Sequence, residues 1–580
     1  MRKPNYDKYP ATRLRGWLCR GWDAILEELS RAAEGRRVIA IELYTGVHEE
    51  EVEEAFSRAY PGRVLCMRDW MKPEADIRAM TERFVTDDAL FGYVTNLTIA
   101  DYFPADAKQR IQEKTAQMAE RGNVVLIGSG AALMAPDDAL VAYVDMARWE
   151  IQQRMRRHEV KALGLDNSSE PVASQYKRGL FNDWRICDRH KDSLFRRVEF
   201  WIDTHTPNDP KMIDRSTFRS AMEQTVRGPF RVVPFFDPAP WGGQWMKEVC
   251  DLDRSKQNYG WCFDCVPEEN SLYLEVNGVR VELPSVDVVL TQSRKLLGGP
   301  VEARFGKDFP IRFDFLDTMG GGNLSLQVHP TTQFIHEEFG MTYTQDESYY
   351  LLDAGEDATV YLGVKRDVDR EAMLADLRSA QRGEMVFDAE KYVNKIPAKK
   401  HDHFLIPGGT IHCSGAGSMV LEISSTPNIF TFKLWDWQRL GLDGKPRPIN
   451  VERGSKVIQW ERDTDYVEQH LHNHFETIAQ GDGWTEERTG LHPYEFIETR
   501  RHRFSKTVEH ETGDGVNVLN LLEGDEVVVE SPTGAFPPFV VHYAETFIVP
   551  ACVGRYTIRP YGQSEGSECV TIKAAVRHST

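Results

Sequence analysis

The chain has 580 residues, which is enough for about three or four domains of ordinary size. A hydrophobic content of 41% and a charged content of 27% are typical of a globular protein with a large core. The net charge of −19 argues against a nucleic-acid-binding function, since phosphate backbones are bound by basic surfaces. A small anion is not excluded, because a local group of Lys or Arg would be enough to bind it.

The N-terminal segment, the apolar runs and the cysteines predict the cellular compartment of the protein. The N-terminus, MRKPNYDKYPATRLRGW, is basic but has no apolar stretch, so it does not resemble a signal peptide. No apolar run approaches the roughly 20 residues that cross a bilayer. Nine cysteines are scattered without a disulfide framework, which is typical of a reducing compartment. We therefore expect a cytoplasmic protein that contacts neither membranes nor nucleic acid.

Residues 1–215 alternate between apolar strands and amphipathic helices. The strands are RRVIAIELYTG, NVVLIGSGAAL and ALVAYVDM, and the helices include HEEEVEEAFSRAY and WEIQQRMRRHEV. Alternation of this kind predicts an α/β domain with a parallel sheet and helices on both faces.

The order of these elements, with YVDMARWEIQQRMRRH and the basic segment YKRGLFNDWRICDRHKD, resembles the nucleoside and nucleoside-monophosphate kinases. Those enzymes hold phosphates with a GxxxxGK[ST] loop after the first strand. Here that position reads ELYTGVHEEEVEE, with one glycine, no lysine and many acidic residues. We therefore expect a kinase-like domain that lacks a phosphate loop. An active kinase, which would make the protein bifunctional, predicts ATP binding at this turn.

Later segments change to short strands, glycine turns and aromatic positions, which predict antiparallel barrels or jelly rolls. One barrel domain is expected over 225–365 and 400–460, interrupted at 366–399 by an insert of two amphipathic helices. Residues 485–580 are again all strand, with Gly-Asp and Gly-Arg turns, and predict a second β domain. That domain has no counterpart of QVHP and a Tyr where the first has His412, so we expect it to bind no metal.

Four polar residues of the first barrel have a pattern that suits a metal site. Gln327 and His329 are two apart in an alternating strand and should share a face. Glu347 begins the strand ESYYLLD, and His412 follows the turn PGGT. If they met on one wall, these groups would form a mixed nitrogen and oxygen site for a divalent ion with positions open to substrate.

Four segments between about 230 and 455, in order, resemble class I mannose-6-phosphate isomerase of the cupin superfamily: PFFDPAPWGGQWM, FDFLDTMGGGNLSLQVHP, KKHDHFLIPGGTIHCSGAGSMVLEIS and FKLWDWQRLGLDGKPRP. The resemblance implies a cupin fold, and makes the second β domain cupin-like. It implies that Zn²⁺ or another divalent metal is held by Gln327, His329, Glu347 and His412. It also implies an isomerase that interconverts mannose 6-phosphate and fructose 6-phosphate through an enediol.

Two further residues match active-site positions of that family. Glu422, in SMVLEIS, matches a carboxylate that would act either as the base or as a positioner of sugar hydroxyls. Lys433, in FKLWDW, stands where the family has a catalytic arginine, and it keeps the charge but loses the planar bidentate geometry.

Two family lysines are absent from this chain. Gln345 stands two residues before Glu347, and the other lysine position is Asp314 or Phe315. Either the substrate phosphate is held by other residues, such as Arg312 or Lys400, or the substrate is not the usual phosphosugar. The second case favours a non-catalytic cupin that binds metal and senses a sugar or sugar phosphate. An iron-dependent cupin oxygenase is a third interpretation, since the same ligand types hold iron.

Overall fold

The computed structural model describes residues 3–442, 444, 447–490 and 492–577. The chain divides into two compact units. The α/β unit comprises Ala11–Thr225 and Pro267–Thr291, and the β unit comprises Met1–Pro10, Val226–Val266 and Gln292–Thr580. In the part of the chain that the structure describes, none of the helices combines the length and the apolar character that a bilayer crossing requires.

The secondary structure is as follows, with elements numbered along the chain. The strands are β1 (Ala11–Leu14), β2 (Leu18–Arg20), β3 (Val38–Leu43), β4 (Val64–Cys66), β5 (Val124–Gly128), β6 (Leu140–Asp145), β7 (Phe200–Asp203), β8 (Lys211–Asp214), β9 (Phe235–Asp237), β10 (Trp261–Cys265), β11 (Ser271–Val276), β12 (Val279–Pro284), β13 (Ile311–Asp317), β14 (Leu326–Val328), β15 (Glu347–Ala354), β16 (Thr359–Val364), β17 (Val393–Pro397), β18 (His403–Ile406), β19 (His412–Ser414), β20 (Ser418–Ser425), β21 (Phe432–Trp435), β22 (Glu476–Gly481), β23 (Trp484–Gly490), β24 (Ile497–Phe504), β25 (Val508–Glu511), β26 (Asn517–Glu523), β27 (Glu526–Glu530), β28 (Phe539–His542), β29 (Thr546–Val549), β30 (Arg555–Pro560) and β31 (Cys569–Val576). The helices are α1 (Trp22–Ala32), α2 (Glu49–Ala59), α3 (Glu74–Val85), α4 (Ala107–Ala119), α5 (Ala131–Met134), α6 (Arg148–Arg156), α7 (Val172–Arg178), α8 (Trp184–Leu194), α9 (Arg215–Thr225), α10 (Trp245–Val249), α11 (Val286–Leu297), α12 (Gly299–Phe305), α13 (Thr332–Phe339), α14 (Arg370–Gln381), α15 (Ala389–Tyr392), α16 (Val451–Val457) and α17 (Thr464–Tyr466).

The α/β unit is built on a seven-stranded sheet of order β2-β8-β7-β6-β3-β5-β4. The five strands from β7 to β4 pair in parallel, whereas β8 and β2 pair antiparallel at one edge. Every residue of β3, β5 and β6 is buried, which explains the continuous apolar runs that these strands show in the sequence. The resemblance of this unit to kinases stays a prediction.

Residues 267–291 form part of the α/β unit, although the sequence predicts them to lie with the barrel strands. Their strand β11 pairs with β12 and, in parallel, with β1. A buried ion cluster holds the segment in place: the Lys191 Nζ lies 3.0 Å from Asp145 Oδ1 and 2.9 Å from Asp287 Oδ1. Breaking such a buried ion pair leaves an uncompensated charge. The partner of Asp287 lies almost a hundred residues earlier, so periodicity alone does not show this arrangement.

The first β-sandwich of the β unit is built from two antiparallel sheets. One has six strands in the order β18-β15-β20-β13-β10-β9, and the other has five in the order β17-β16-β19-β14-β21. The central strands β13 and β20 are buried along their whole length, so their inward side chains form the wall of the interior.

The insert predicted at 366–399 is only partly helical. Helix α14 runs over Arg370–Gln381 and is capped by the Asp369 side chain, which accepts a hydrogen bond from the Ala372 amide. The second expected helix is the single turn α15, which leads directly into β17. Strand β17 pairs with β16 at the edge of the five-stranded sheet. The β-branched residues at Val393 and Ile396 suit this edge strand better than a helix.

A second β-sandwich follows within the same unit. Its sheets have the orders β22-β23-β24-β31-β26-β29 and β25-β30-β27-β28. The hydrophobic core between them includes Phe504, Leu519, Phe547 and Ile558. The protein is therefore multidomain and rich in β-sheet.

Arg154 provides a test of the packing of the α/β unit. It is fully buried and donates hydrogen bonds to the carbonyl oxygens of Gly46 and Thr204 and to Glu150. Arg154→Met should lower the free energy of unfolding by about 3 kcal/mol, because it leaves buried acceptors unpaired. Arg157→Met, at the exposed position directly after the same helix, also loses a bond to Glu150 and should cost less than about 1 kcal/mol. Urea titration followed by far-UV circular dichroism measures both, and equal losses would contradict this account.

Candidate metal centre

The first sandwich brings the four predicted ligand residues to one place between its sheets. Gln327 lies in β14, His329 directly follows that strand, and His412 begins β19, so all three come from the five-stranded sheet. Gln327 and His412 are directly opposite each other in the antiparallel pair of β14 and β19. Glu347 begins β15 of the six-stranded sheet and faces them across the interior.

The distances are those of a compact cluster. His329 Nε2 lies 3.1 Å from Glu347 Oε2, and His412 Nε2 lies 2.8 Å from Glu347 Oε1. The possible ligand atoms of these three residues all lie within 4.8 Å of one another. All three side chains are buried. The cluster is the one group of three or more His, Cys, Asp and Glu with metal-site spacing in the described ranges.

The outer nitrogens of the two imidazoles fix their orientation. His329 Nδ1 lies 3.1 Å from the carbonyl oxygen of Phe430, and His412 Nδ1 lies 2.9 Å from that of Thr410. A carbonyl oxygen only accepts, so each Nδ1 carries a hydrogen and donates it. The Nε2 atoms are thereby turned towards Glu347, an arrangement typical of metal-binding histidines.

This arrangement fits a divalent cation. In the neutral imidazoles, the Nε2 lone pairs of His329 and His412 point at the carboxylate of Glu347, which repels them unless protons or a cation lie between them. Although burial favours the neutral acid, positive charge on the two imidazoles holds the pKa of Glu347 well below its usual range, and a bound cation would act in the same direction. Two nitrogens and one carboxylate are donors that zinc and related metals accept.

Gln327 adjoins the cluster through its amide group. Its Nε2 lies 3.1 Å from His412 Nε2, and its Oε1 accepts a hydrogen bond from Ser325 Oγ at 2.9 Å. The sequence predicts an amide oxygen as the ligand, whereas in this orientation the nitrogen faces the imidazole. A rotation of the amide by 180° exchanges the two atoms, and only hydrogen bonds distinguish the two orientations.

Glu422 lies on the inner wall of the six-stranded sheet. In β20 it is opposite Asp314 of β13 on one side and Tyr349 of β15 on the other. Ser424 Oγ donates a hydrogen bond to Glu422 Oε1 at 3.0 Å. Burial, and next the charge of Glu347, raise the pKa of Glu422 well above its usual range. This carboxyl group is therefore poised to hold a proton.

The two residues suggested as alternative phosphate ligands have other partners. Arg312 is buried and donates a hydrogen bond to Asp314 Oδ2, so its charge faces the acidic inner wall. Lys400 forms an ion pair with Glu523, at the end of β26 in the second sandwich. Arg312 and Asp314 alternate with phenylalanines in β13, a polar pattern in an otherwise apolar strand that could have marked them as site residues.

Lys433 is part of a group of cations on the five-stranded sheet. It is opposite Gln327 in the pairing of β14 and β21. Asp436 lies 2.5 Å from Arg439 Nη2 and 2.7 Å from Arg447 Nη1. Burial, and next the charge of Arg447, lower the pKa of Lys433 to about 8. Arg447 is not among the residues predicted from the sequence, although it lies in the same exit segment as Lys433.

Comparisons with known proteins found one matching family model and several similar proteins. Residues 21–227 match a family model described as "Domain of unknown function (DUF8485)". Mannose-6-phosphate isomerase ManA of Bacillus subtilis (strain 168) is 27% identical over 230 residues, which are 39% of this chain and 66% of that protein. The mannose-6-phosphate isomerase of Streptococcus mutans serotype c is 27% identical over 222 residues, 38% of this chain and 64% of that protein. The chain thus spans just under two thirds of the length of these relatives. The crystal structure of mannose 6-phosphate isomerase from Bacillus subtilis aligns with a TM-score of 0.48 at 19% identity, covering 60% of this chain and 99% of that one.

Replacing one imidazole should abolish metal retention. His329→Ala should weaken Zn²⁺ binding by at least about a hundredfold, since even the loss of an outer partner of a ligand costs 10–100-fold. His336→Ala, in the exposed part of α13, is the matched control and should bind as the unchanged protein does. Metal content after reconstitution and desalting, with calorimetric titration, measures the difference. Equal metal retention by both variants would show that the ion binds elsewhere.

Proposed function

We propose that the first sandwich is a metal-dependent aldose–ketose isomerase that acts on a sugar phosphate. The reaction is the interconversion of mannose 6-phosphate and fructose 6-phosphate through an enediol. The observation that carries the proposal is the buried cluster of His329, Glu347 and His412 facing the same interior as Glu422. The similarity to proteins named mannose-6-phosphate isomerase supports it at the level of a sugar-phosphate isomerase.

The ion is best assigned as Zn²⁺, because two imidazoles and one carboxylate suit it. His329, His412 and Glu347 would hold the ion, and the amide of Gln327 is placed to add an oxygen after rotation. When bound, a dication supplies Lewis-acid stabilisation of the negative charge that develops on the sugar oxygen. Positions not filled by the protein stay open to substrate hydroxyls.

Glu422 is the best candidate to move the proton between C1 and C2 of the sugar. Isomerisation needs a group that both accepts and returns a proton, and such a group works best with a pKa near the operating pH. Burial shifts the pKa of Glu422 upwards in that direction. The hydrogen bond from Ser424 Oγ fixes one carboxyl oxygen, which leaves the other for the substrate.

The phosphate group would be bound by the cations beside β21. Lys433, Arg439 and Arg447 surround the single carboxylate of Asp436, so the cluster keeps a net positive charge. Guanidinium groups bind phosphate oxygens in pairs, and an ammonium adds a point charge. This cluster replaces the family lysines that the chain lacks, so their absence does not rule out a phosphosugar.

Isomerase activity is tested by incubating the zinc-reconstituted protein with mannose 6-phosphate in D₂O. Proton NMR should show fructose 6-phosphate that carries solvent deuterium at C1, the carbon that receives a proton from the enediol. Glu422→Gln should lower kcat by about 10²–10⁴-fold with unchanged zinc content, since it removes the proton carrier and keeps the shape. Ser424→Ala is the matched control in the same strand. It removes one hydrogen bond to Glu422 and keeps the carboxyl group, so it should lower kcat less than about tenfold.

A sensing protein would behave differently in the same experiment. It would bind mannose 6-phosphate with the zinc in place, and neither fructose 6-phosphate nor deuterium exchange would appear. The same experiment is repeated with mannose and with fructose 6-phosphate. Binding without product or exchange for all three sugars would reject the isomerase proposal. Exchange that is equal in Glu422→Gln would instead reject the role of Glu422.

The charge of Lys433 should make phosphate recognition depend on pH. With a pKa of about 8, Lys433 is a cation below that pH and becomes neutral above it, so KM for the phosphosugar should rise between pH 7 and 9. Lys433→Met should raise KM at pH 7 by about tenfold, since a hydrogen bond to a charged group contributes about 1.5–3 kcal/mol, and should flatten the rise. Lys400→Met is the control with unchanged KM. A KM that is independent of pH in the unchanged protein would contradict the assignment.

A further inference from the structure

The interior of the second sandwich has a polar end that the isomerase proposal does not use. Its side chains come from four strands of both sheets: His502 in β24, His510 in β25, Tyr556 in β30, and Thr571 and Lys573 in β31. All five are at least nine-tenths buried. So many polar groups are unusual in the core of a small sandwich, where an unpaired polar group costs about 1–3 kcal/mol.

The strand pattern shows that these side chains point inward. Side chains two apart in a strand share a face. His502 is two residues before Phe504, His510 is two after Val508, and Thr571 is two after Cys569, and these three neighbours belong to the hydrophobic core. Lys573 continues the face of Thr571. The polar end is therefore a continuation of the core, not part of the surface.

Several polar atoms at this end have no hydrogen-bond partner among the residues that the structure describes. Both ring nitrogens of His510 are unpaired, as are His502 Nδ1 and Thr571 Oγ1. The other ring nitrogen of His502 lies 3.2 Å from Glu486 Oε1. The ring of His510 is stacked on Tyr556, whose hydroxyl donates to Asn517 Oδ1 at 3.0 Å. The unpaired nitrogens are thus held in a fixed position.

Lys573 brings a positive charge to this polar end, where burial disfavours charge. Its side chain is 8% exposed, and its ammonium has neither an ion pair nor a hydrogen bond with the residues that the structure describes. The nearby guanidinium of Arg500 is already bonded to Glu486 and Glu498. Burial lowers the pKa of Lys573 to about 8, so at neutral pH the ammonium is still charged. Because this mostly buried ammonium has no ion pair of its own among the described residues, an anionic ligand would supply one.

We propose that His502, His510, Thr571 and Lys573 form a binding site for a phosphate group, either free phosphate or the phosphate of a small metabolite. The ammonium, the Thr571 hydroxyl and one N–H of His510 are donors aimed into one interior. His502 donates to Glu486 and offers its Nδ1 as an acceptor, which suits the hydroxyl of a singly protonated phosphate. A metal ion is disfavoured, because Lys573 and Arg500 would repel it.

The site is independent of the isomerase centre, and it is tested in a background in which the loss of Lys433 weakens phosphate binding at the other cation cluster. In the full-length Lys433→Met protein, ³¹P NMR line broadening of inorganic phosphate should reveal saturable binding. Lys573→Met should weaken that binding at least about tenfold, because it removes a charged donor. Lys506→Met is the matched control, since its exposed ammonium on the same sandwich pairs only with Asp482.

A second variant keeps the test valid if Lys573→Met does not fold. His510→Phe preserves the ring stacked on Tyr556 and removes both nitrogens, and it should also weaken phosphate binding at least about tenfold.

Glycerol 3-phosphate, titrated in the same way, distinguishes the two sources of the phosphate group. Tighter binding than that of inorganic phosphate indicates a phosphorylated metabolite, and weaker binding indicates free phosphate. No saturable binding, or equal affinity in Lys573→Met and Lys506→Met, would overturn the proposal.

Discussion

The first sandwich depends on one electrostatic constraint, a carboxylate held between two imidazoles in a buried interior. Glu347 comes from one sheet and the histidines from the other, so the two sheets must pack in a single register for the three to meet. Buried charges of this kind are stable only when each is compensated. The carbonyl groups of Phe430 and Thr410 orient both rings, and thereby the loops that carry those carbonyls become part of the site.

The residues of this cluster were predictable from the sequence because each obeys a short-range rule. The two-residue period places Gln327 and His329 on neighbouring positions of one wall, and the start of a strand or the end of a turn places Glu347 and His412. The family resemblance then supplied the long-range pairing that local rules do not contain. What stayed hidden were interactions between distant segments, such as the pairing that places Glu422 of β20 opposite Asp314 of β13.

The division of the chain into units was less predictable for the same reason. Strands β11 and β12 have the same composition as barrel strands, and only their partners show where they belong. Strand β11 pairs with β1, at the start of the α/β unit, and Asp287 of the following helix α11 forms a buried ion pair with Lys191. Hydrophobic periodicity predicts the kind of element, but it carries no information about which distant element completes its hydrogen bonds or its ion pairs.

The two sandwiches show how one architecture produces different chemistry from the charges that point inward. In the first, carboxylates outnumber the buried cations near the histidines, and the interior suits a cation. In the second, the carboxylates of Glu486 and Glu498 lie near Lys573, and the Lys573 ammonium, the Thr571 hydroxyl and a His510 N–H remain as donors for an anion. The α/β unit has a related feature: Glu42 accepts hydrogen bonds from the amides of Gly130 and Ala132. Those amides, at the end of a parallel strand, are the kind that bind phosphate in nucleotide-binding folds. Because the chain's own carboxylate is bonded to them, a nucleotide phosphate would have to displace a buried anion to bind there.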